Sequence, residues 1–249
     1  MTNPHVSFNI KNKVGYIEFF HPNHNAMPSD VLQKLEQTIV DAETSEAKVL
    51  VLQSGGDRTF CAGASFNELI VIDNEATGKA FFLGFANVIN AMRKSSKLII
   101  GRVQGKAVGG GVGLAAATDY CLATKYASIK LSELSIGIGP FVIEPAVTRK
   151  IGVSNMSQMT LNAEKFYTAE WAKNNGLFAE VCETTEALDE SVTTLAEKLA
   201  SYNPEALQEM KKVLWENTED WDDLLDKRAE ISGKLVLSDF TKETLRWFQ

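Results

Sequence analysis

The chain is poor in the residues from which metal and redox sites are built. It has three cysteines, Cys61, Cys121 and Cys182, widely spaced and odd in number, with no C-x-x-C pair. That argues against a zinc ribbon and a disulfide scaffold, and the expected state is three reduced, mostly buried thiols. Its three histidines, His5, His21 and His24, all fall near the N-terminus, so a Ser-His-Asp triad or a His-rich metal site would have to draw on that segment. Cationic charge is short as well. Lys and Arg number 25 against 32 Asp and Glu, a formal charge of −7, which is the wrong field for a general nucleic-acid binder. No membrane span is apparent: the uncharged stretch Ala107 to Thr118 is too short and too glycine-rich to cross a bilayer. The opening residues, MTNPHVSFNIKNK, lack the basic-then-apolar pattern of a signal peptide, so the expected compartment is cytoplasmic. Low-complexity linkers and internal repeats are missing too.

What is present can build a sizeable core: 249 residues, 45% of them hydrophobic. VSFNI (6–10) and VGYIEFF (14–20) flank Asn12-Lys13 and read as a β-hairpin. Pro28 and Ser29 open a helix with Val31, Leu32, Leu35 and Ile39 on one face. Buried strands are expected at 48–54 and 98–104, shorter ones at 119–124 and 128–131, and a helix over 76–94. From Val142 onward the pattern reads as helical, with Leu188, Val192, Leu195 and Leu199 in phase and a restart at Pro204. Trp215, Trp221 and Trp247 fall in this part, as core or as subunit contacts. The organisation expected is α/β, with a core of residues 1–190 and a C-terminal helical region, 191–249.

Two small-residue turns carry the chemical signal. One is Phe60-Cys61-Ala62-Gly63-Ala64, after the strand at 48–54; the other is Gly109-Gly110-Gly111, after the strand at 98–104. Small side chains let a ligand approach the peptide N–H groups, and helix N-termini present unpaired donors. Two such turns side by side could aim two N–H groups at one carbonyl oxygen, each worth about 2.7–4 kcal/mol of transition-state stabilisation. A competing reading exists. Gly111-Val-Gly113-Leu-Ala-Ala116 matches the dinucleotide fingerprint G-x-G-x-x-A, with the acidic Glu133 about 20 residues on. The two short strands that follow, in place of one strand ending in an acid, make a nicotinamide-dependent enzyme the second choice.

Taken together, Phe60-Cys-Ala-Gly-Ala64, Gly105-Lys-Ala-Val-Gly-Gly-Gly111, Leu131-Ser-Glu133 and Gly137-Ile-Gly-Pro140 resemble, in order and spacing, the crotonase (enoyl-CoA hydratase/isomerase) superfamily. The look is closest to methylglutaconyl-CoA hydratase-like members. The resemblance implies a spiral of ββα repeats with a C-terminal helical trimerisation region, a homotrimer or homohexamer, and an acyl-CoA substrate. No metal and no separate cofactor are implied, coenzyme A being part of the substrate, and no nucleic-acid or membrane partner. The implied chemistry is a lyase reaction, hydration of a 2-enoyl-CoA in fatty-acid or branched-chain amino-acid breakdown. The Ala64 and Gly110 N–H groups would hold the enolate oxygen, and Glu133 would be the acid/base. Ala62, Gly63, Ala64, Ser65, Phe66, Gly110 and Pro140 would line the substrate.

This chain departs from the pattern at Gly113, where hydratases of the superfamily carry a second glutamate, and at Ser65, where an acid is often found. Isomerase, decarboxylase and non-catalytic acyl-CoA-binding readings therefore stay open. Glu144 is expected at a helix start, where an acid suits the dipole, with a catalytic role as the alternative. Arg149 and Lys150 are expected as solvated helix charges. A substrate with a second carboxylate would need a cation, for which Arg58, Lys106 and Arg149 are nearest in sequence. Lys227, Lys234 and Lys242 could meet CoA phosphates across a subunit boundary, or form a mixed-charge helix surface.

Overall fold

The computed structural model of the protein describes residues 3–246; Trp247 lies outside them. Strands β1 (His5–Lys11) and β2 (Val14–Phe20) form the hairpin. Its turn residues Asn12 and Lys13 have φ of 52° and 63°, the left-handed pair that a tight two-residue hairpin needs. Helix α1 (Ser29–Asp41) buries Val31, Leu32, Leu35 and Ile39, the stripe the spacing predicts. Three turns of chain then repeat one pattern. β3 (Val49–Ser54) and β4 (Thr59–Cys61) lead through the short α2 (Phe66–Leu69) to α3 (Glu75–Lys94). β5 (Leu98–Val103) and β6 (Lys106–Val108) lead to α4 (Gly110–Ala116). β7 (Tyr120–Thr124) and β8 (Ser128–Lys130) lead through a 3-10 turn, Glu133–Ile136, to α5 (Glu144–Leu161), which is broken at Gly152.

Each turn gives its first strand to a six-stranded sheet, β1-β2-β3-β5-β7-β10, and its second to a four-stranded sheet, β4-β6-β8-β9. Apart from the antiparallel pairs β1/β2 and β8/β9, neighbouring strands are parallel. This is the ββα spiral that the resemblance implies. β3 shows why its strands read as continuous apolar runs. Leu50 and Leu52 face the main core with α1 and α3, whereas Val49 and Val51 face a second layer with Leu188 and Val192.

The chain closes with β9 (Tyr167–Thr168), α6 (Ala169–Asn174), β10 (Glu180–Cys182), α7 (Thr185–Ala200), α8 (Pro204–Leu214), α9 (Trp221–Leu235) and α10 (Asp239–Arg246). The segment after Val142 is thus not wholly helical. β10 adds an edge to the large sheet, and strands of two or three residues are too short to show a period. α9 meets α3 backbone to backbone: a β-carbon on Gly78 would lie 2.7 Å from the Gly233 carbonyl oxygen. Trp215 and Trp221 are core residues, edge to face at 5.7 Å.

Arg149 and Lys150 are not free helix charges but partly buried and partnered. The Arg149 guanidinium lies 4.1 Å from the Trp215 ring centroid, and Lys150 Nζ donates to the Asp119 carbonyl at 3.1 Å. The Asp119 carboxylate in turn accepts from Ile99 N–H (2.7 Å), Lys211 Nζ (2.7 Å) and Trp215 Nε1 (2.6 Å). These partners draw the polar ends of Lys150 and Lys211 inward, and burial lowers the pKa of both lysines.

Candidate active site

The two turns singled out in the sequence start from the second sheet, not from the long strands of the first. Phe60 and Cys61 are in β4, and β6 lies just before Gly109. Because β4 and β6 are parallel neighbours, the residues that follow each strand emerge side by side. A β-carbon placed on Gly63 would sit 3.0 Å from the Val108 carbonyl oxygen and 3.7 Å from the Gly110 nitrogen. Gly63 has φ of 93° and Gly109 has φ of 52°, backbone regions costly for any other residue. The segment just before α1 props up this edge. Met27 N–H donates to Gly63 O (2.8 Å) and Ser65 N–H donates to Met27 O (3.1 Å). Asn25 fixes that segment, its Nδ2 donating to Gly55 O and Thr59 O at 2.8 Å each.

Ala62, Gly63, Ala64, Phe66, Gly110, Glu133 and Pro140 all line one cavity of about 160 Å³. Among the described residues, no acceptor takes the Ala64 N–H or the Gly110 N–H. Ser65 is not brought there: it forms the N-cap of α2, its Oγ accepting the Glu68 N–H at 3.4 Å. None of the three histidines lines the cavity.

Glu133 opens the 3-10 turn after β8, a turn closed by Gly137 with the Ile138 N–H donating to Glu133 O (3.1 Å). Its carboxyl lies against the second turn; a β-carbon at position 109 would be 2.8 Å from Glu133 Oε1. Although the residue as a whole is only partly buried, Oε2 is enclosed and has no hydrogen-bond partner among the described residues. Burial pushes this carboxyl up to about 7, against the smaller pull of the Glu133 and Ser132 N–H groups and the Lys130 charge. A carboxyl with one oxygen buried and unpaired is an expensive arrangement, and its cost points to a functional site.

Sequence reasoning missed the cavity's apolar wall. Phe81, Phe82 and Phe85 from α3, Ile136 at the end of the 3-10 turn, and Ile138, Phe141, Val142 and Ile143 from the segment between that turn and α5 complete it. On a helix, three phenylalanines within five positions read as plain core. The usable signal was Gly110, where a β-carbon would run into the Phe85 ring. Gly113 is walled off in the same way by Ile143, so both glycines of the dinucleotide-like match serve close packing, Gly111 lying against Cys61 O at 2.5 Å from where its β-carbon would be. Glu144 stands at the start of α5, its Oε1 accepting from Thr148 Oγ1 (2.6 Å) and its Oε2 3.6 Å from Arg228 Nη2, and it does not line the cavity. Cys61, next to the first turn, is buried with its thiol pushed up to about 12, so it is no nucleophile near neutral pH.

Comparison with known proteins identifies the family. The family model for enoyl-CoA hydratase/isomerase matches residues 9–245. The chain is 31% identical over 196 residues to the 2,3-dehydroadipyl-CoA hydratase of Escherichia coli, covering 78% of this chain and 75% of that protein. It is 26% identical over 254 residues to a peroxisomal Delta(3,5)-Delta(2,4)-dienoyl-CoA isomerase of Arabidopsis thaliana, covering 95% and 90%. It superposes on the crystal structure of an enoyl-CoA hydratase from Bacillus halodurans with a TM-score of 0.90 at 22% identity, covering 97% and 99%, a likeness of fold. The chain belongs to the enoyl-CoA hydratase/isomerase family.

Proposed function

We propose that the protein hydrates a 2-enoyl-CoA thioester with one carboxyl group, that of Glu133. The observation that carries this is the buried, partnerless Glu133 Oε2 in a cavity also lined by two residues whose N–H groups are free, Ala64 and Gly110. The thioester carbonyl oxygen accepts from both N–H groups. Water attacks the β-carbon as Glu133 takes its proton, and negative charge moves through the α-carbon onto the thioester oxygen, where the two donors stabilise it. Glu133 then returns the proton to the α-carbon, so that H and OH have been added across the double bond. A carboxyl titrating near 7 is suited to both steps.

The absence of a second carboxyl is consistent with the packing, since Ile143 fills the space beside Gly113. Hydratases and isomerases both occur among the relatives. The isomerase reading requires one group to move a proton between two carbons. Among the described residues Glu133 is the one carboxylate lining the cavity, which keeps that reading as the alternative.

The test is loss of enoyl-thioester absorbance with crotonyl-CoA, comparing wild type with Glu133→Gln. Hydration should fall by 10²–10⁴-fold in the variant while CoA binding persists. Full activity in the variant would remove Glu133 from the chemistry.

A further inference from the structure

We propose that this site takes a short acyl group with an uncharged far end and rejects acyl chains that end in a carboxylate. The inference rests on the acyl-CoA reading above and departs from a methylglutaconyl-like substrate, which carries a second carboxylate. Away from Glu133, the wall is made by Phe81, Phe82, Phe85, Ile136, Ile138 and Phe141. Among the described residues, no Lys, Arg or His lines the cavity. The three cations nearest in sequence to the turns do not answer the need. Arg149 is stacked on Trp215 at 4.1 Å, the Lys106 ammonium lies 5.3 Å from the Phe166 ring, and Arg58 does not line the cavity.

The Lys130 ammonium, whose charge reaches Glu133, is not in the wall either; it lies 4.9 Å from the Phe166 ring. A terminal carboxylate would therefore enter a cavity with no cation in its wall, and the one ionisable wall group among the described residues, Glu133, carries the same sign. Size points the same way. A cavity of about 160 Å³ is close to the ~150 Å³ apolar cavity that holds a benzene molecule, so it suits a group of roughly six carbons.

The experiment is titration calorimetry of the wild-type protein with hexanoyl-CoA, adipyl-CoA and free CoA. The two thioesters share a six-carbon chain and differ only in the terminal carboxylate, and neither can be hydrated. Hexanoyl-CoA should bind at least about 100-fold more tightly than adipyl-CoA. Affinities within threefold of each other would overturn the proposal. So would the absence of binding by all three ligands, which would also overturn the acyl-CoA reading. A 100-fold preference in a protein that hydrates no enoyl thioester would leave the pocket assignment standing and sink the hydratase reading alone. As an independent check, Ile136→Lys places an ammonium on the partly exposed side of the wall. It should narrow the preference at least tenfold, and an unchanged ratio in the folded variant would contradict the proposal.

Discussion

Glu133→Gln should make the protein more stable at alkaline pH even as it removes activity. The substitution keeps the shape of the side chain and deletes its charge. The Glu133 carboxyl is raised from 4.5 to about 7, roughly 2.5 pH units, and at ~1.4 kcal/mol per unit that amounts to about 3–4 kcal/mol. The sign follows from proton binding. An unfolded chain releases this proton near pH 4.5, the folded protein near 7. Between those values the folded state holds the extra proton, so wild-type stability is full below the window and is lost as pH rises through it. Above it, an unpaired carboxylate sits buried against Gly109. The glutamine variant has no such dependence. Urea unfolding of both proteins at pH 5 and pH 9 measures it: the stability difference should shift in the variant's favour by about 2–3 kcal/mol between the two pH values. A difference that stays constant would mean that Glu133 titrates normally, and that the cost attributed to its burial is wrong.

Three other substitutions probe the framework. Gly109→Ala forces a side chain into a backbone with φ of 52° and ψ of −120°, 2.8 Å from Glu133 Oε1; it should cost about 1–3 kcal/mol in urea unfolding and lower hydration more than tenfold, and unchanged kinetics would separate Gly109 from the site. Gly113→Glu drives a carboxylate into Ile143, so it should destabilise by more than about 2 kcal/mol without raising the hydration rate; a faster, equally stable variant would show that a second carboxyl fits after all. Asp119→Ala leaves the buried Lys211 ammonium without its ion-pair partner and should cost about 3–5 kcal/mol in urea unfolding, with a loss under about 1 kcal/mol contradicting the role assigned to that network.

The parts of this molecule that could be read in the sequence are those with a local physical cause. The hairpin follows from Asn12-Lys13 between apolar runs, and α1 from a single stripe of four residues. The two glycine turns were visible because positive φ at Gly63 and Gly109 and the close approach at Gly110 leave no room for other residues. Glu133 stood out by its order after them. What could not be read depends on distant packing. β4, β6, β9 and β10 are two or three residues long and exist through their neighbours. Ser65 is expected against the substrate only through the resemblance; its hydroxyl caps α2, and the residue does not line the cavity. Arg149 and Lys150 looked like surface charges on an isolated helix, until Trp215 and Asp119 arrived from elsewhere in the chain. The phenylalanines of α3 come to the cavity through such packing too: the Phe85 ring rests directly on Gly110, and Phe81 and Phe82 line the cavity beside it.

The most direct measurement of the proposed reaction is the mass of the product formed from 2-hexenoyl-CoA in water enriched in ¹⁸O. Hydration through Glu133 gives a thioester heavier by one labelled water, with the label retained as a hydroxyl oxygen. A product of unchanged mass would mean that the double bond has only moved, and would contradict the hydratase assignment.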